Sequence, residues 1–156
     1  MMLRRPTYEQ LVSICSHLET SELNERLAMD GFEYDPVLVA SRLARRDGPA
    51  HVFLDDKRVP YFAAGFTLDR PGVMSAWSVS TPDCPKHVLE MTRVSRRVIR
   101  TLLQNGTHRI NILCLASRLH ARRWYESLGA SLEWTLTAYG ANGEDFALYT
   151  ILRRAQ

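Results

Sequence analysis

The chain is poor in most residue classes that would settle a function at once. Its three cysteines, Cys15, Cys84 and Cys114, are odd in number and widely separated. That spacing implies neither a disulfide framework nor a metal-ligand pair, and a reducing cytosol is the compartment it fits. No apolar run approaches the length needed to cross a bilayer, and Met1 to Pro6 has no apolar signal core, so a soluble, unprocessed chain without a membrane segment is expected. The net charge is only +3, short of the dense Lys/Arg stripe that would make nucleic acid the default partner. His17, His51, His87, His108 and His120 show no i, i+4 ligand pairing on one helix, which leaves no metal site to expect. Glycine is absent from Val73 through Asn105, and no internal repeat or low-complexity tract interrupts the chain.

What is present suits one core. A length of 156 residues with 46% hydrophobic content is enough for a single domain spanning 1–156 and too little for two. Leu3 to Pro6 reads as a short first strand, and Thr7 as the cap of a helix with apolar positions Leu11, Ile14 and Leu18. A second helix is expected from Ser21 to Met29. A third starts at Asp35-Pro36, with Val37, Ala40, Leu43 and Ala44 facing one way and Arg42, Arg45 and Arg46 the other, and ends at Asp47-Gly48-Pro49. His51 to Leu54 and Val59 to Leu68 then bracket a hairpin turn at Asp55 to Arg58, and Val73 to Ser80 reads as another strand after the turn at Asp69 to Gly72.

The longest helix is expected from Pro85 to Gln104, striped by Val88, Met91, Val94, Val98 and Leu102, with Arg93, Arg96, Arg97 and Arg100 outside. Asn105-Gly106 stops it. Ile110 to Leu115 is apolar nearly throughout and should be a central strand. After it comes a short helix from Ser117 to Leu128, opened by a capping serine and closed at Gly129. Ser131 to Tyr139 and Phe146 to Leu152 form a closing antiparallel pair around Gly140 to Gly143. This order predicts an α/β (α+β) fold with a mixed, mostly antiparallel sheet of six to seven strands and helices on both faces.

The pattern of Ala121, Trp124-Tyr125-Glu126 and Leu128-Gly129 resembles the last conserved helix of the GNAT (Gcn5-related N-acetyltransferase) superfamily, and the order of elements is similar over nearly the whole chain. Within that superfamily, Trp77-Ser78-Val79-Ser80-Thr81, the Arg-rich long helix, Trp124 to Ala130 and Leu148-Tyr149-Thr150-Ile151 resemble the internal virion protein A family of short-tailed bacteriophages. The resemblance implies a GNAT-like sheet and acetyl-CoA as the cofactor to test. It implies cofactor contacts at Ser78, Val79, Ser80, Lys86 and His87, and Tyr125 as the general acid that returns a proton to the departing thiolate. The narrower resemblance implies a virion protein with phage or host protein partners, in the host cytoplasm or incorporated in the particle.

One part of the family pattern is missing. GNAT enzymes seat the cofactor's diphosphate on backbone N–H groups of a glycine-rich turn at the start of the long helix. Here that turn reads Thr81-Pro82-Asp83-Cys84-Pro85-Lys86-His87. Pro82 and Pro85 have no N–H, and Asp83 adds negative charge where phosphates would sit. Lys86 and His87 offer compensating charge. The Ile110 to Leu115 strand carries no carboxylate base, leaving water, Glu33 or His51 for that task. Tyr125 and Trp124 also suit a plain aromatic anchor. Cys84, beside a helix start, could be an activated nucleophile or a small capping residue. The arginine faces, Arg93/Arg96/Arg97/Arg100 and Arg118/Arg122/Arg123, read as solvated, with an acidic partner, a phosphate or nucleic acid as the alternatives. Two functions fit this pattern: a phage-type GNAT-fold protein with a degenerate acyl-CoA site acting through protein contacts in virion assembly or early infection, or an active acyl-CoA-dependent N-acetyltransferase modifying a protein or small amine.

Overall fold

The computed structural model describes residues 4–31 and 33–154. Of the expected first strand, Leu3 lies outside the described residues. The rest of that segment makes a single bridge, in which Val52 N–H donates to Arg4 O at 3.0 Å. Helix α1 (Tyr8–Cys15) opens with a complete capping box, Thr7 and Gln10 each accepting from the other's backbone. It buries Leu11 and Ile14, but stops at Cys15, so Leu18 lies beyond it. Helix α2 (Thr20–Asp30) is capped by the Glu19 carboxylate, and α3 (Pro36–Ala44) by Asp35 with Pro36 at its first position. The inward face of α3 is Val39, Ala40 and Leu43; Val37 and Ala44, expected inside, are exposed. The axial phase is set by Asp35 and Pro36, and it turns Val37 outward.

Strands β1 (Ala50–Leu54), β2 (Pro60–Arg70) and β3 (Val73–Ser80) form an antiparallel meander. A 3-10 turn (Cys84–His87), with Pro85 near its start, leads into α4 (Val88–Gln104). The buried residues of α4 are Met91, Ser95 and Ile99, with Val94, Val98 and Leu102 half-buried; Val88 is exposed, so the stripe runs one residue off the expected line. Next come β4 (Arg109–Leu115), α5 (Leu119–Ser127), β5 (Ser131–Leu136) and β6 (Phe146–Leu152). Ser117 does not cap α5: Arg118 occupies that position and has no capping side-chain bond. The strand expected to reach Tyr139 ends at Leu136.

The six strands lie in the order β1-β2-β3-β4-β6-β5, antiparallel except for β3 and β4. One face is covered by α1 and α3, whose Leu11, Ile14, Val39 and Leu43 pack on Val52, Ala63, Trp77 and Val79. The other face is covered by α4 and α5, whose Ile99, Ala121 and Tyr125 pack on Phe66, Ile110, Ile112 and Tyr149. This is the mixed sheet with helices on both faces that the sequence predicts.

The junction of β3 and β4 creates an opening in the sheet. These parallel neighbours pair only from Val73/Arg109 to Ser75/Asn111 and have no further register toward their C-terminal ends. They part there like the arms of a V. In open sheets, such a gap at the carboxyl ends of parallel strands is where ligands bind.

Candidate functional site

A cavity of about 460 Å³ passes through the gap. On the α4/α5 side its wall includes His51, Phe62, Ser95, Ile112 and Tyr125; on the other side it includes Glu25, Arg26, Arg46, Trp77 and Tyr139. Trp77 lies flat over Gly65, where a Cβ would stand 2.6 Å from the indole ring. Gly65→Ala is therefore expected to displace Trp77 into the cavity, costing about 1–3 kcal/mol in overpacking. Tryptophan emission and urea unfolding would register the two effects together.

The sequence-predicted residues take different places. Tyr125 is buried at 7% exposure in the core beneath the gap, beside the rings of Trp124 at 5.7 Å and Tyr149 at 6.2 Å. Burial, and next the nearby Glu25 carboxylate, push its pKa up, so the hydroxyl stays protonated. The position thus combines the aromatic anchor with a protonated hydroxyl on the cavity wall. Ser78 and Ser80 turn their backbone polar groups away from β2 and into the gap. Val79 points its side chain into the α1-side core instead, fully buried against Leu11 and Val52.

Most of the backbone groups that face the gap at the ends of β3 and β4 are engaged by α2. The Ser80 N–H donates to Glu22 Oε2 at 2.8 Å, the Ser80 hydroxyl donates to the same oxygen, and Glu19 N–H donates to Ser80 O at 2.9 Å. The Arg26 Nη2 donates to Ser78 O at 3.2 Å. Across the gap, Leu115 N–H donates to Glu25 Oε2 at 2.7 Å. Glu25 also holds Arg118 at 3.0 Å, and Arg118 Nε donates to Ser21 Oγ at 3.1 Å. Glu22 and Glu25, one helical turn apart, thereby tie both arms of the V to α2. Glu22 is buried at 2% exposure, and that burial pushes its pKa up to about 7 against the opposing pull of Arg118.

Three expectations are corrected here. Arg118 is buried in this network rather than solvated. Cys84 is no activated nucleophile: burial pushes its thiol up to about 12, and its Sγ contacts Met91 Sδ. Of the two proposed bases, Glu33 is exposed on the loop after α2 and does not line the cavity, whereas His51 is 3% exposed and does. Burial lowers the His51 pKa to about 4, and its Nε2 has no partner among the described residues. Glu22, Glu25 and Arg26 escape sequence reasoning, since on a helix of otherwise polar residues nothing marks them as inward-facing.

The diphosphate seat is absent in structure as in sequence. In the turn after β3, Thr81 N–H donates to Tyr61 O, Cys84 N–H to Thr81 O and Lys86 N–H to Asp83 O. With Pro82 and Pro85, five of its seven residues offer no free amide. The Lys86 ammonium is paired with Asp83, and the His87 ring stacks on Tyr61 at 4.1 Å. The residues present do not fit coenzyme A bound through its diphosphate: five of the seven turn residues offer no free amide, and carboxylates occupy the strand edges beyond. No group of three His, Cys, Asp or Glu side chains among the described residues is placed to hold a metal ion.

No protein-family model and no curated protein matches the sequence. The fold has many relatives among solved structures. A GNAT-family acetyltransferase from Bacillus anthracis superposes with TM-score 0.71 at 13% identity, covering 97% of this chain and 93% of that one. The ribosomal-protein-alanine N-acetyltransferase from Brucella melitensis gives TM-score 0.74 at 13% identity, covering 97% and 99%. A GNAT superfamily phosphinothricin acetyltransferase from Sinorhizobium meliloti, in complex with acetyl-CoA, gives TM-score 0.66 at 14% identity, covering 97% and 87%. The chain has the GNAT fold. No helix among the described residues is long and apolar enough to cross a membrane.

Proposed function

We propose that this is a GNAT-fold, acetyltransferase-like protein whose donor cleft does not take coenzyme A in the manner of the enzymes, and which acts by binding a partner rather than by acyl-CoA turnover. The observation that carries this reading is the use of the cleft's own backbone donors: Ser80 N–H and Leu115 N–H are bonded to Glu22 and Glu25, and the turn beyond offers prolines and spent amides. Phosphates approaching it would meet unfavourable charge and few donors. The resemblance to the internal virion protein A family supplies the setting, contacts with phage or host proteins during virion assembly or early infection. Peptide mass fingerprinting of purified particles tests incorporation, and its absence there would remove it.

The second reading is an acyl-CoA-dependent N-acyltransferase. The comparisons favour it over the first reading, since the solved structures that share the fold include acetyltransferases, and Tyr125 stands on the cavity wall at the position of the motif that resembles the superfamily. Isothermal titration with acetyl-CoA separates the two. The expected result is no saturable heat up to about 1 mM, an affinity weaker than about 4 kcal/mol. Micromolar binding would establish the second reading, and Tyr125→Phe would then suppress turnover while leaving affinity in place.

A further inference from the structure

Arg26 and Arg46 line the same side of the cavity, and among the described residues neither forms an ion pair within 4.0 Å. Arg26 spends Nη2 on Ser78 O, but its Nε is buried without a partner. The sequence pattern assigns Arg46 to a solvated helix face; it lies beyond the end of α3, is exposed as expected, and also lines the cavity. Both residues line one wall of the cavity, and partial burial, then the charge of Arg26, hold the Arg46 pKa below its ordinary value while Asp69 opposes them. No carboxylate among the described residues stands within ion-pair distance of either one. Glu25 holds Arg118 and Leu115 N–H, Glu22 holds Ser80, and Asp69, which faces Arg46, accepts from the Ser75 hydroxyl at 2.5 Å. Two like charges held together beside an enclosed space, one with a buried orphan donor, leave an oxyanion-shaped need. Trp77 and Tyr139 supply an aromatic wall beside it.

We propose that the Arg26/Arg46 end of the cavity binds the oxyanion head of a small organic acid, a carboxylate or phosphoryl group, with the apolar body of the ligand lying against Trp77. Guanidinium forks match both head groups bidentately, and a cavity of about 460 Å³ has room for a body of the size of one aromatic ring. The site does not depend on whether an acyl donor binds, since it lies on the α2/α3 side and uses none of the residues of the turn after β3.

The test uses the full chain at about 0.1 M salt, where exposed charge is screened. Phenylacetate, phenyl phosphate and the neutral phenylacetamide are titrated separately, followed by tryptophan emission and by heat. The expected result is that one or both acids bind at least about tenfold more tightly than the amide, and which acid is preferred identifies the head group. Arg46→Gln, at an exposed position, should reduce that preference to within about threefold with an unchanged melting temperature, and Arg46→Lys should retain part of it. Failure of both acids to bind at least about tenfold more tightly than phenylacetamide, no binding of either acid below about 10 mM, or an unaltered preference in Arg46→Gln would each overturn the proposal.

Discussion

Arg118→Met is expected to lower the stability of the folded chain by about 3–5 kcal/mol, the cost of stranding a buried charge. The Glu25 carboxylate and the Arg118 guanidinium are 16% and 8% exposed, and 3.0 Å apart. Glu25 retains only the Leu115 N–H when the guanidinium goes, and Ser21 loses the donor at its hydroxyl. For a domain of this size, the loss corresponds to a melting temperature lower by about 10 °C or more. Arg123→Met on the exposed side of the same helix provides the control and should change stability by no more than about 0.5 kcal/mol. Arg118→Lys is not expected to rescue, since one ammonium cannot reach Ser21 and Glu25 with the geometry of a fork. A cycle with Glu25→Gln should show coupling of about 1–3 kcal/mol. If Arg118→Met matches Arg123→Met, the network across the gap is incidental.

That network explains which parts of the molecule were legible in the sequence. The sheet was, because its strands other than the exposed β5 carry runs of buried apolar residues, and the turns between them carry glycine, proline and aspartate where reversal is needed. The element order followed from that, and the GNAT fold from the resemblance of that order and of the Ala121 to Gly129 motif to the superfamily. Tyr125 and the end of β3 were legible through a motif rather than through periodicity. The closure of the cleft was not. Helix α2 buries Glu22 and Ala28 and little else, so a hydrophobic period has nothing to report, and Arg118 looks like any other arginine beside Arg122 and Arg123. Only tertiary pairing distinguishes them. The same applies to Ser95, a serine outside the expected stripe of α4 that is buried and lines the cavity. The rebuilt turn was legible as a lack of glycine and an excess of proline, but the spending of its remaining amides on one another required the coordinates.

Between pH 4.5 and 6.5 the chain should hold nearly level stability, while two single substitutions tilt it in opposite directions. Glu22 has an ordinary value of 4.5 and titrates at about 7 in the folded state. Between those values the folded chain holds the proton more tightly than the unfolded chain, so the Glu22 contribution is full below pH 4.5 and is lost as pH rises through 7. His51 runs the other way, from an ordinary 6.5 to about 4. There the unfolded chain holds more protons, and the His51 contribution is full above pH 6.5 and is lost as pH falls through 4. Each shift is about 3 kcal/mol over its whole range, and the two offset each other where the ranges overlap. Glu22→Gln should therefore leave stability rising by about 2–3 kcal/mol from pH 4.5 to 6.5, and His51→Phe should leave it falling by a similar amount, read from urea unfolding at the two pH values. Other carboxylates, including Glu19, contribute a background common to all three chains, so the comparison is between slopes. Parallel slopes in all three would show that neither group is buried as described. Opposed slopes would show that at neutral pH the carboxylate across the gap is poised between charged and neutral, held there by the Ser80 N–H and by Arg118 rather than by solvent.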